Sequence, residues 1–389
     1  MQYHDPSDPD IKLDNSLVEQ IHQRTGKIII VVTGGGASAI TRLLAVPGAS
    51  NTLISAFIPY HQAELSTYLG AEPEQACSSN TARALAMVAW QRARQVEKSA
   101  PVFGVGCTAA LATNRDRRGD DRCYIAIQSL DSTFVAEVTF DKAGRDRPEE
   151  EQLCSELLLG VIARTLGIDN DYLDPFRKTD VVSTSKTTAK KSWQTLLEGD
   201  KRDTLDRYNR NPPDQAVLAT NSPILIFPGA FNPLHKGHTA MLRYAEKRSG
   251  EKASLEISIF NVDKPPLDYM EMEMRQAGSK EWPLIFTNAP TFIEKCRLFP
   301  GTTFIVGSDT LIRIADKKYY DGNNDKCIDA LNEINSLGNR FLVFGRQSSG
   351  RFVTLSDLDI PALLAQLCTS VDESEFREDV SSTEIRAEM

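Results

Sequence analysis

Gly229-Ala230-Phe231-Asn232-Pro233-Leu234-His235-Lys236-Gly237-His238 separates an apolar run, ILIF at residues 224–227, from the amphipathic stretch TAMLRYAEKRSG at 239–250. An apolar run, a glycine-bearing turn and then helical spacing with a glycine stop reads as strand, turn and helix. The pattern continues with a strand over 255–262, a helix over 289–299, and strands over 302–309 and 339–347. Strands alternating with helices predict a Rossmann-like parallel sheet, and such sheets take ligands at the C-terminal ends of their strands. A helix that starts there offers free N–H groups and a partial positive charge to a phosphate. Gly229 and Gly237 leave the backbone open to close approach. His235 and His238, three apart, can both face such a pocket. They are two of only five histidines in the chain, so solvated or capping side chains explain them poorly.

Upstream of residue 222 the same class of pattern appears once more. Residues 16–25 read as a helix, 27–32 as a strand, TGGGAS at 33–38 as a glycine-rich turn, and 39–46 as a helix. Strands follow at 51–60, 101–107, 121–129 and 132–140. Helices follow at 78–96, with Ser78 to Thr81 as candidate caps, and at 149–167, ending on Gly167. This predicts a first α/β domain over residues 1–168. Residues 169–221 are polar and mixed in charge. They are expected to form a linker with a short helix near 193–208, long enough to wrap one of its neighbours. Residues 222–389 make the second domain.

Bulk properties narrow the function classes. The chain has 389 residues, 41% hydrophobic and 25% charged, ordinary values for a globular protein of two domains. Its net charge of −9 argues against nucleic acid or an anionic membrane as the main partner. The N-terminal residues are acidic and polar, unlike a signal peptide, and no apolar run approaches the roughly 18–20 residues of a membrane span. The seven cysteines are scattered, never spaced CxxC, and odd in number. Reduced thiols in a cytoplasmic protein, without a zinc site or disulfide framework, are the expectation.

The stretch Gly229, Phe231, Pro233, His235, Gly237, His238 resembles the GxFxPxHxGH signature of the HxGH nucleotidyltransferase superfamily. That superfamily includes nicotinamide and nicotinate mononucleotide adenylyltransferases, phosphopantetheine adenylyltransferase and cytidylyltransferases. Near the C-terminus, Ser381-Ser382-Thr383-Glu384-Ile385-Arg386 looks like the family's (I)SSTxIR motif, with Val380 in first place. Ser381 and Glu384 also fit a capping box at a helix start, where N–H groups and Arg386 could hold β- and γ-phosphates. Gly307 and Asp309 resemble the family's strand-end GxD segment, and Arg346 its strand-end arginine. The resemblance implies catalysis by His235 and His238. It also implies nucleotide contacts from Gly229, Ala230, Phe231, Gly237, Gly307, Asp309, Arg346, Ser381, Ser382, Thr383 and Arg386. Lys264 is a candidate contact to phosphate or acceptor. The implied reaction transfers AMP from ATP, with Mg2+ carried on the triphosphate, to a small phosphate-bearing acceptor. Pyrophosphate leaves, and no protein metal cluster is needed.

Residues 15–168 resemble the C-terminal domain of the CinA family, which includes nicotinamide mononucleotide deamidases. The likeness rests on Thr33-Gly34-Gly35, on Val46 to Ser50, on Tyr60 ahead of Leu69-Gly70, and on Ser78 to Ala86. The family's catalytic serine falls at Val31 and its lysine at Leu65. Neither residue can supply a nucleophile or base, so no deamidase activity is expected. Thr33, Ser38 and Tyr60 remain as candidate ligand contacts, and the likeness implies self-association through this domain. A deamidase-like fold fused to an adenylyltransferase-like one points to pyridine nucleotides. A cytidylyltransferase or a phosphopantetheine-type enzyme is one alternative, and a non-catalytic nucleotide-binding regulator is another.

Overall fold

The computed structural model describes residues 15–114, 118–142, 144–173, 175–199, 202–204, 224–261, 265–348 and 351–377. The chain divides into two compact units. The first comprises residues 1–189 together with 263–270, and the second residues 190–262 together with 271–389.

In the first unit the elements are α1 (Ser16–His22), β1 (Lys27–Thr33), α2 (Ala37–Ala45), β2 (Leu53–Phe57), α3 (Gln62–Leu69) and α4 (Ser79–Val96). β3 (Val102–Ala110), β4 (Arg122–Gln128), β5 (Ser132–Thr139), α5 (Arg147–Thr165) and β6 (Val181–Thr188) complete it. They build one mixed sheet in the order β2-β1-β3-β4-β5-β6. β1 pairs parallel with β2 and β3, and the pairings from β3 to β6 are antiparallel. β1 reads KIIIVVT because both its faces are covered. Ile28, Ile30 and Val32 enter the core under α2 and α5, while Ile29 and Val31 enter a second cluster with Leu65, Leu85 and Ala89. α4 presses directly on β3. A Cβ on Gly104 would stand 2.0 Å from the Ala86 carbonyl oxygen, and one on Gly106 would stand 2.2 Å from that of Ala82.

The second unit opens with α6 (Lys191–Glu198), β7 (Leu225–Pro228), α7 (Lys236–Ser249) and β8 (Ala253–Ser258). α8 (Tyr269–Gly278), β9 (Leu284–Thr287), α9 (Phe292–Leu298), β10 (Thr303–Gly307), α10 (Ser308–Ala315) and α11 (Asn324–Ser336) follow. The last elements are β11 (Arg340–Phe344), a hairpin of β12 (Arg346–Ser348) and β13 (Arg351–Val353), α12 (Ala362–Gln366) and β14 (Cys368–Val371). The sheet order is β14-β11-β10-β7-β8-β9, and every pairing in it is parallel. This is the expected Rossmann-like sheet. β7 sits centrally, with β8 and β9 on one side and β10, β11 and β14 on the other. The strand order therefore reverses between β7 and β10, the crevice where open parallel sheets bind ligands.

The segment expected as a linker contributes β6 and α6. β6 is an edge strand exposed along most of its length, so it carries no apolar alternation to betray it. α6 buries Trp193, Leu196 and Leu197. β9 was not expected either, being only LIFT.

Candidate functional site

The histidine turn lies at the C-terminal end of β7, beside the reversal in strand order. The Gly229 N–H donates to the Glu256 carbonyl at 2.9 Å, which fastens the turn to β8. Phe231 takes a positive φ of 44° and buries its ring edge-on against Phe227 and His238, with centroids 5.3 Å and 5.2 Å away. A Cβ on Gly229 would meet that ring at 2.7 Å. The space that glycine was expected to leave for a ligand is therefore taken by Phe231, while Gly229 and Ala230 themselves are exposed.

α7 begins immediately beyond, with His235 in extended conformation as its N-cap, Gly237 buried and Lys236 turned to solvent. The His235 backbone N–H donates to Nδ1 of His238 at 3.3 Å. Nδ1 of His238 is thereby the acceptor, which places its proton on Nε2. The two imidazoles stack with centroids 3.6 Å apart and planes 23° from parallel. Burial lowers the pKa of His235. It lowers that of His238 to about 3, and the neighbouring His235 adds to the fall. Near neutral pH the pair is uncharged and able to donate hydrogen bonds.

On the other side of the reversal, Gly307 ends β10 and caps α10, and open space lies where its Cβ would be. Asp309 stands in the first turn of α10, and Arg346 begins β12 directly after β11. Their side chains form an ion pair, each about half exposed. Residues 37 positions apart in sequence thus meet. Sequence reasoning missed Ser308. It is buried at the first position of α10, and its hydroxyl has no hydrogen-bond partner among the described residues. Lys264, Ser381, Ser382, Thr383 and Arg386 lie outside the described residues. The aromatic side chains Trp282 and Phe286 are buried at 5% and 1% exposure, Phe286 edge-on to Trp193. Among the described residues no group of three or more His, Cys, Asp or Glu is arranged to hold a metal ion. None of their helices is long and apolar enough to cross a membrane.

In the first unit the TGGGAS turn leads into α2, whose N-terminal donors are already engaged. Glu151, from α5, accepts from Gly36 N–H at 2.7 Å, from Ser38 N–H at 3.0 Å and from the Ser38 hydroxyl at 3.2 Å. A carboxylate of the chain itself occupies the position an anion would take. Val31 and Leu65 are buried in one apolar cluster. Thr33 is buried, and the exposed Tyr60 accepts from Arg147 at 3.4 Å.

Known proteins resemble both parts of the chain. A protein of Schizosaccharomyces pombe described as "Putative nicotinamide mononucleotide adenylyltransferase" is 30% identical over 134 residues, covering 30% of this chain and 53% of that protein. The chain thus spans about half the length of this curated relative. Solved structures similar to the N-terminal part include a competence-damaged protein (CinA) superfamily protein from Enterobacter cloacae. It is 14% identical, with a TM-score of 0.33, covering 43% of this chain and 97% of that one. The competence/damage inducible protein CihA from Agrobacterium tumefaciens is 16% identical, with a TM-score of 0.31, covering 39% and 91%. The family model Cytidylyltransferase-like matches residues 226–388, from β7 onward. The all-parallel sheet and the histidine turn both lie within the stretch that this model matches.

Proposed function

We propose that the chain is a nucleotidyltransferase that moves AMP from MgATP onto a phosphate-bearing acceptor, nicotinamide or nicotinate mononucleotide. The observation that carries this reading is the stacked pair His235 and His238 at the start of α7, beside the strand reversal of a parallel sheet. The curated relative's description supports a mononucleotide acceptor. An acceptor phosphate oxygen attacks the α-phosphorus in line. The new P–O bond forms as the bond to the β-phosphate breaks, and pyrophosphate departs with the charge. The neutral imidazoles donate to the α-phosphate region as charge builds there, and an arriving polyanion draws protons onto them. The partial positive charge at the start of α7 and α10 adds to this field. Catalysis is positioning and charge stabilisation, without a covalent intermediate. Mg2+ enters on the triphosphate.

The family match favours one second reading, in which CTP is the donor. Pyrophosphate release from ATP or CTP, offered with nicotinamide mononucleotide, nicotinate mononucleotide and phosphopantetheine in turn, separates the two. Release from ATP with a pyridine mononucleotide is the expected result. Silence with every acceptor despite nucleotide binding would leave a nucleotide-binding regulator in its place.

A further inference from the structure

Beside the histidine turn the second unit holds a cavity of about 80 Å3, and every residue that lines it belongs to that unit. Its apolar walls are Phe231 and Pro233 from the turn, Leu255 and Ile257 from β8, and Leu284 from β9. The Phe231 ring that forms one wall also packs edge-on against His238. Met274 and Gly278 of α8 line the cavity too and are exposed, so it opens to solvent past them. Among the described residues one basic side chain, Arg275, lines it. That side chain is only 8% exposed, and its Nη2 donates to Glu271 at 2.6 Å, one turn earlier on α8.

A guanidinium is costly to hold at an apolar wall unless a carboxylate offsets it. Glu271 does so, and it fixes the Arg275 fork in one place. A guanidinium carries five donors in a plane, so one carboxylate does not exhaust it. Apolar walls with a single fixed fork suit a planar ring that bears an oxygen substituent. A closed apolar cavity of roughly 150 Å3 accepts benzene. This one is smaller but open on one side, so it takes the inner edge of one ring with its substituent. A ribose and phosphate attached to that ring stay outside. The cavity lies on the β8 and β9 side of β7, whereas Gly307, Asp309 and Arg346 stand on the β10 and β11 side. With the triphosphate on that second side, the cavity side is left for the acceptor.

We propose that this cavity is the subsite for the ring of the acceptor, and that Arg275 is a specificity-determining residue that binds the oxygen of the ring's carboxylate or carboxamide. The proposal rests on the transferase reading above. A guanidinium pairs with a carboxylate by two parallel charge-assisted bonds, roughly twice as strong as neutral ones. Nicotinate mononucleotide is therefore the preferred acceptor, ahead of nicotinamide mononucleotide. Steady-state kinetics of the full chain test this, with ATP and the two mononucleotides varied separately. Arg275→Gln should raise the KM for nicotinate mononucleotide about tenfold, the loss of one charge-assisted contact. The KM for nicotinamide mononucleotide should rise less, and that for ATP should stay within about twofold of wild type. Gly278→Leu leaves the Arg275–Glu271 pair in place and sends its side chain into the open space at the Gly278 Cβ. It should raise the KM for both mononucleotides alike, with the melting temperature and the ATP KM unchanged. Calorimetric titration with nicotinate mononucleotide reads the same subsite without turnover. Unchanged mononucleotide KM and affinity in a folded Gly278→Leu chain would overturn the proposal. So would equal losses for ATP and both mononucleotides in Arg275→Gln, the mark of a general loss of structure. Wild-type turnover with indifferent variants removes only the subsite. Mononucleotide binding that weakens in both variants, in a chain that transfers to no acceptor, keeps the subsite and removes the transferase reading.

Discussion

His235 and His238 lie face to face, their ring centroids 3.6 Å apart. The arrangement follows from the start of α7, where positions three apart share a face of the helix. It also follows from Phe227 and Phe231, whose rings close on His238 edge-on. Two imidazolium ions at this separation would repel strongly in a half-buried setting. The stack is therefore a neutral pair, and it becomes a favourable host for protons only when anionic oxygens arrive.

That geometry makes His238 the more demanding of the two. Its Nδ1 is engaged by the helix start, so Nε2 is the nitrogen left to reach a phosphate. His238→Ala should lower the rate of pyrophosphate release by about a hundredfold to a thousandfold, the usual cost of one preorganised donor. Far-UV circular dichroism should confirm that the fold persists. A folded variant with near wild-type turnover would remove His238 from the mechanism.

The same burial sets a pH dependence of stability. In the folded chain His238 binds its proton only near pH 3, whereas in the unfolded chain it does so near 6.5. Between those values the unfolded state holds more protons, so stability is full above pH 6.5 and falls as the pH drops below it. From pH 6.5 to 5 the loss reaches at most about 2 kcal/mol from this one group. His235 adds in the same direction. Urea unfolding at pH 7.5 and 5.0 should show the decline, and His238→Gln should flatten it. An equally steep decline in the variant would place its cause elsewhere.

Much of this was legible in the sequence, and the remainder was hidden for physical reasons. The strand, turn and helix around residues 224–250 were plain because apolar spacing and glycine placement agree locally. The buried strand at residues 27–32 was equally plain, and Val31 on it shares one cluster with Ile29, Leu65 and Leu85. α10 was missed because it starts at Ser308, directly after β10, with no loop to mark the change. β6 was missed because an exposed edge strand needs no apolar face. The engagement of Glu151 with Gly36 and Ser38 was not readable, since it joins residues more than a hundred positions apart. Only packing α5 against α2 brings them together.

Glu151 leads to a prediction for the first unit. Its carboxylate satisfies donors at the start of α2 that a free phosphate would otherwise attract. Glu151→Ala should cost about 1.5–3 kcal/mol of stability, the value of hydrogen bonds to a charged group. It should also open the turn, so that inorganic phosphate raises the melting temperature of the variant more than that of wild type. Equal phosphate effects on both chains would mean that the turn is not an anion cradle at all.

β8, to which the histidine turn is fastened, carries one partner of a buried charge pair. Lys295 of α9 donates to both oxygens of Glu256 at 2.7 Å and 2.9 Å, and the Thr287 hydroxyl donates to one of them. Glu256 is fully buried and Lys295 nearly so. Lys295→Met strips the carboxylate of its cation and should destabilise the second unit by about 3–5 kcal/mol. Replacing both, Glu256→Leu with Lys295→Met, should recover most of that loss, because no unpaired charge remains. Activity should follow a different course from stability. The Gly229 N–H hangs on the backbone carbonyl of Glu256, not on its side chain. A refolded double variant should therefore keep its turnover, whereas the single variant should lose it as its melting point falls. Urea unfolding and pyrophosphate release measured on the same samples decide the point. A stable double variant without activity would show that the carboxylate acts on the histidine turn directly.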